Sequence, residues 1–235
     1  MAAEIVTLSF FRYQGFSDKW WAFTQMQRAY EQLKGTAGIQ FHRMLGSGGK
    51  RGFSIFPNFG AYGLLSVWKE EQNAVDFFES HPSFQAFLEH SEQYWTVYLK
   101  TSKVHGLWEG SCPFQATIAP NKKTLVGVLT RATIYTKHLL HFWKFVPPVS
   151  ASIHDKKGLL FSVGIGELPL VQQATFSLWE STELMMEYAY KSRYHREVVQ
   201  KTRELGWYKE ELFARFSPYK IEGNSAMVQQ LSAYL

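Results

Sequence analysis

The chain states one pattern twice. "GLLSVWKE", residues 63–70, is echoed by "ATFSLWES", residues 174–181, and "GIQFHRMLGSG" is echoed by "GLLFSVGIGE". Trp68 and Trp179 then coincide at an offset of 111. Segments that share an apolar pattern face the same packing problem, so each half is expected to build the same unit. In the first half, apolar alternation predicts strands at 4–13, 38–46, 60–68 and 94–103, and three-to-four spacing predicts helical stretches at 17–34 and 70–92. The second half repeats the order, with strands at 124–134, 158–165, 172–179 and 208–217 and helices at 136–150 and 181–205.

Each half therefore reads βαββαβ, a ferredoxin-like unit of α+β class. One such sheet leaves a face uncovered, so two on one chain are expected to pack sheet to sheet as a tandem, pseudodimeric α+β barrel. The N-terminal repeat spans 1–103 and the C-terminal repeat 124–223. Between them, "VHGLWEGSCPFQATIAPNKK" at 104–123 is rich in turn formers and reads as a linker, and 224–235 reads as a tail. The segment "GKRGFSIFPNFGAYG" at 49–63 has no counterpart in the second half and is expected to loop over one barrel end.

A core of this size needs large apolar groups, and 8 Trp, 12 Tyr and 19 Phe supply them; such rings also line cavities for apolar ligands. The net charge of +5 does not point to nucleic acid, because the cations are scattered and alternate with Glu. A mildly cationic surface suits an acidic electron donor or an anionic membrane face. Cys112 is the only cysteine, which excludes an intramolecular disulfide and a thiolate metal cluster. The start lacks a basic segment followed by an apolar one, and no stretch has the roughly 18 apolar residues of a membrane helix, so the expected location is cytoplasmic. Peripheral contact with the inner membrane and self-association stay open.

Carrying the offset through the second helices sets Phe84 opposite His195, Phe87 opposite Val198 and Leu88 opposite Val199. Where one copy has a benzyl ring facing its sheet, the other has an imidazole. Burying it without a partner would cost roughly 1–3 kcal/mol, so a hydrogen bond or a metal must meet it. Two readings stand: a core histidine bonded to a carbonyl or to Tyr188 or Tyr190, or a neutral axial ligand to haem iron in an aromatic pocket. Other constellations are weaker. His138 and His141 have metal-pair spacing but no carboxylate beside them, and adjacent Glu210 and Glu211 fall on opposite strand faces. Arg12 and Arg131 end strands read as equivalent, where salt bridges are the usual role, although Arg131 could also hold a propionate.

Seven strings together, "MLGSG", "GFSIFPNFGAYGLLSVW", "LTRATI", "FWKFVPPVS", "LLFSVGIGE", "QATFSLWES" and "GWYKEELFARF", resemble the spheroidene monooxygenase family over about residues 5–220. The resemblance implies a haem b protein that takes electrons from a ferredoxin-type donor. It would insert oxygen near the end of a linear carotenoid or similar apolar substrate. It implies His195 as the iron ligand, with the haem between the second-half helix and its sheet. Gly127, Gly164 and Gly166 would leave room there, Arg131 would bind the cofactor, and Thr175 and Ser177 would be distal, catalytic hydrogen-bond donors. A haem-dependent dehydratase or peroxidase-like enzyme on the same barrel, and a non-catalytic haem-binding barrel, are the alternatives.

Overall fold

The computed structural model describes residues 3–49, 54, 56–144, 156–191, 202 and 204–235. The first half runs β1 (Ile5–Arg12), α1 (Gly15–Leu33), β2 (Ile39–Gly48), β3 (Pro57–Trp68), α2 (Glu71–Ser80), α3 (Pro82–His90) and β4 (Gln93–Gly106). The second runs β5 (Val126–Ile134), a helical turn at 136–144, β6 (Leu159–Leu168), β7 (Gln172–Trp179), α4 (Thr182–Lys191), β8 (Tyr208–Gly223) and α5 (Ala226–Ser232).

The strands close into an antiparallel barrel in the order β1-β3-β2-β6-β7-β5-β8-β4. Within it each half contributes the same arrangement, β4-β1-β3-β2 and β8-β5-β7-β6. The copies even break register at the same place, between Ile39 and Phe41 in one and between Leu159 and Phe161 in the other. They are stitched together by the long β4–β8 ladder and by a short β2–β6 contact at Gly46 and Gly166.

Strand alternation sorts the apolar residues into two layers. Val6, Leu8, Leu99, Leu129, Phe176 and Phe216 fill the barrel interior. Ile5, Phe11, Leu64 and Trp68 point outward from the first-half sheet and are buried under α1, α2 and α3, which supply Ala22, Leu33, Phe77, Phe84 and Phe87. Strands buried on both faces read as nearly continuous apolar runs, as in β1.

Three sequence boundaries move. The helical stretch at 70–92 is two helices, because Pro82 cannot donate a backbone N–H; the His81 side chain instead caps the second one by accepting from the Ser83 amide at 3.2 Å. The segment expected to be a linker is partly structural. β4 continues to Gly106, whose φ of +89° turns the chain back, and Trp108 and Phe114 are then buried in the barrel core. The expected tail is also packed: Ser225 caps α5 and Leu231 is fully buried against the barrel. Among the described residues no helix is long and apolar enough to cross a membrane.

Candidate active site

Cross-strand pairing aligns side chains on the outer face of each sheet in rows, and the two halves can be compared row by row. In the first half, one row is His42, Ser66, Thr7 and Tyr98, and the next is Met44, Leu64, Ser9 and Thr96. The corresponding second-half rows are Ser162, Ser177, Val128 and Arg215, then Gly164, Thr175, Thr130 and Phe213. A third pairing sets Tyr62 and Phe11 against Gln173 and Ala132.

Five positions change from large or aromatic side chains to smaller or polar ones, while Thr96 gives way to Phe213 in the opposite sense. Met44 becomes Gly164, Leu64 becomes Thr175, Tyr62 becomes Gln173, Phe11 becomes Ala132 and Tyr98 becomes Arg215. The first-half face is sealed. Trp68 donates to Thr7 at 2.8 Å, the hydroxyls of Ser9 and Thr96 meet at 2.7 Å, His42 donates to the Tyr30 carbonyl at 2.9 Å, and Tyr98 donates to Glu222 at 2.9 Å. Burial pushes the Tyr98 phenol well above its usual range, and the Glu222 carboxylate adds to that.

The second-half face is shallower and more polar. Thr130, in the middle of the sheet, is exposed. Ser177 is buried and accepts from the Trp179 indole at 2.9 Å, which leaves its own O–H to donate elsewhere. Thr175 is half-buried beside it. Ser162 Oγ and Arg215 Nε are buried, and neither finds a hydrogen-bond partner among the described residues. Arg215 lies over the Phe213 ring at 5.3 Å, and burial lowers its pKa. Buried polar atoms without partners are rare, since each costs roughly 1–3 kcal/mol. α4 covers only one end of this floor, where Met185 is buried and Tyr188 stacks on Trp179 with centroids 5.3 Å apart. Residues 192–201 come next in the chain, so His195 lies outside the described residues, as does His154.

The residues anticipated for the site divide between two faces. Thr175 and Ser177 share the outer floor. Gly127 faces the interior instead, where a Cβ would meet Phe176, Leu178 and Leu99 at 3.4–3.5 Å, so it makes no room outside. Arg131 also points inward and is buried, with Nη1 2.5 Å from Glu210 and Nη2 3.2 Å from Glu167. Its guanidinium also lies 5.2 Å from the Trp108 ring. Glu167 further accepts from Arg43 at 2.9 Å and from the Trp108 indole at 3.1 Å, and Arg43 pairs with Glu109. Burial acts to raise the Glu210 pKa, but the amides of Gly110 and Glu109 and the Arg131 charge outweigh it and hold the carboxyl below its usual range. This network plugs one barrel end. Arg12 is not the counterpart of Arg131: in the paired registers Phe10 is.

Among the described residues no group of three or more His, Cys, Asp or Glu gathers to hold a metal. Sequence reasoning missed Arg215 and Ser162. The available signal was the change of residue at equivalent strand positions, Tyr98 to Arg215 and His42 to Ser162.

No family model matches the chain. It is, however, 32% identical to the spheroidene monooxygenase of Rhodobacter capsulatus over 222 residues, covering 94% of this chain and 92% of that protein. The chain belongs to the spheroidene monooxygenase family. As a member it is a monooxygenase. The spheroidene monooxygenases of Cereibacter sphaeroides and Rubrivivax gelatinosus are 32% and 29% identical, covering 98% and 86% of this chain and 72% and 78% of theirs. Among solved structures, an aldoxime dehydratase superposes with a TM-score of 0.62 at 12% identity, covering 92% of this monooxygenase and 82% of that chain. A second, in complex with butyraldoxime, gives 0.59 at 10% identity, covering 96% and 85%. At that identity the likeness is one of fold.

Proposed function

We propose that this monooxygenase binds haem b on the outer floor of the second-half sheet and hydroxylates an apolar, chain-like substrate there, with a linear carotenoid as the leading candidate. We read the two halves as tandem ferredoxin-like repeats. One observation carries the proposal: five large side chains that fill the first-half floor are replaced by Gly164, Thr175, Gln173, Ala132 and Arg215 in the second. A floor cut back at these positions offers more room to a planar group, and the orphaned polar atoms of Arg215 and Ser162 suit a ligand that carries polar or anionic groups.

His195 is the proposed iron ligand, carried on the chain that follows α4. Arg215 is the proposed partner for a carboxylate of the cofactor, since a half-buried guanidinium gains most from a charged acceptor. When bound, haem supplies the activation of dioxygen. Ser177, its oxygen already engaged by Trp179, presents its proton to the ligand side, and Thr175 offers a second hydroxyl one row away. Val128 and Phe213 give the floor an apolar patch against which a hydrocarbon can lie. Electrons come from a ferredoxin-type donor, whose acidic surface complements a chain of net charge +5.

Expression with added haem tests the cofactor, and the expected result is a Soret band. His195→Ala should abolish it, and Arg215→Ala should weaken haem retention about tenfold through loss of a charged hydrogen bond. An unchanged band in His195→Ala moves the iron ligand elsewhere. Co-expression in a host making linear carotenoids, followed by pigment chromatography, tests the substrate; unaltered pigments remove the carotenoid.

A further inference from the structure

The barrel end opposite the Arg131 network is open. A cavity of about 790 Å³ enters there. Its floor is the stacked pair Phe10 and Trp95, with centroids 4.7 Å apart, and Phe161 stands edge-on to both at 5.3 and 4.9 Å. Arg12 and Lys19 stand on its rim, and no carboxylate lines it among the described residues.

From that rim an aromatic stripe runs along α1. Phe16, Trp20 and Phe23 recur at helical spacing and are 85%, 59% and 45% exposed. Trp20 and Phe23 lie 5.8 Å apart, and Phe59 of β3 closes edge-on against Phe23 at 5.7 Å. Phe56, just before β3, is 72% exposed. The helix does not need these rings for its core, because Ala22, Ala29 and Leu33 supply that on its other face. Singly exposed aromatics are ordinary; a contiguous group continuous with a cavity mouth marks an interaction surface.

We propose that this stripe docks on the surface of an anionic lipid bilayer, with the open barrel mouth facing the membrane. Aromatic side chains favour the interfacial zone of a bilayer, and cations beside them are attracted to anionic headgroups. Rings and cations together provide the two contributions that stable peripheral binding requires. A second copy is the poorer occupant, because a two-fold contact through this patch would set the exposed Lys19 of each copy near that of the other, while the nearby acids Glu92 and Asp18 are already paired with Arg12 at 3.7 Å and His90 at 2.9 Å. The docking stands apart from the haem chemistry and does not depend on it.

Flotation of the full-length protein with vesicles tests it. The expected result is binding to phosphatidylcholine vesicles containing phosphatidylglycerol, weaker binding to phosphatidylcholine alone, and release by salt. Trp20→Ser combined with Phe23→Ser should reduce binding at least about tenfold, as should Lys19→Glu to a lesser degree. These positions are exposed, so circular dichroism and the haem band should match those of the parent chain. Failure of the parent chain to float on either vesicle overturns the proposal. So does undiminished flotation of the double variant, or a parent dimer that the double variant converts to monomer without any vesicle binding.

Discussion

Single side chains decide what the second-half floor can hold. Thr175 occupies the place of Leu64, so Thr175→Leu restores the first-half pattern. The expected outcome is a folded protein whose melting temperature is nearly unchanged and whose haem content falls, read by absorbance per chain. His42 gives a pH signature of a different kind. Burial, aided by the nearby Arg43, holds its pKa below the usual imidazole value of 6.5, against the raising effect of its bond to the Tyr30 carbonyl. The folded state therefore prefers the neutral ring, and the unfolded chain takes up the proton first as acidity rises. Its contribution to stability is fully present above pH 6.5 and is lost as pH falls through the depressed folded value. Thermal melts between neutral and mildly acidic pH should show this loss, and His42→Gln should show less of it. At this scale the shared face of Thr175 and Ser177 was legible in the sequence, because a period of two fixes which strand residues lie together. Arg215 was not, because in isolation a strand arginine reads as a surface charge. Only the strand register sets it opposite Tyr98 and exposes the change.

Among the elements, those that stay within one copy were read closely and those that join the copies were not. β1 and β7 match their predicted limits to within a residue or two. β4 and β8 run longer than predicted, since their outer residues pair with one another across the halves, and no local pattern announces a partner so distant in sequence. β1 and β5 are equivalent strands, as read, but Arg12 and Arg131 stand at different positions along them, because the offset that aligns Trp68 with Trp179 does not hold there: the segments between the strands differ in length. The linker was misjudged for a related reason. Its turn formers are real, but they serve to swing Trp108 and Phe114 into the core. The ion network there gives a test at this scale. Glu167→Gln removes a charge that Arg131, Arg43 and the Trp108 indole all use, and leaves a buried guanidinium underpaired; a loss of about 3 kcal/mol is expected in urea unfolding. The refolded variant should keep its haem band, because Arg131 faces the interior.

As a whole, the molecule spends one internal repeat in two ways. The first copy closes its outer face with aromatic packing and carries the external stripe, while among the described residues the second presents a more polar face at Thr130, Thr175 and Ser177. The barrel itself belongs to both, since its interior draws residues from all eight strands. Chemical denaturation should therefore show one cooperative transition, and a fragment of residues 1–103 should not yield a stable monomer. Two non-coincident transitions, resolved by Trp fluorescence and circular dichroism, would mean that the halves fold separately. Closure also settles how such a chain can meet its neighbours. An open sheet ends in a row of unspent amides that invites another chain to lengthen it; here the β4–β8 ladder spends one such row along its length, whereas β2 and β6 meet only at Gly46 and Ser47. Crowded copies are thus shielded from strand addition along the β4–β8 seam, and among the described strands the β2–β6 seam is where backbone stays available to a neighbour.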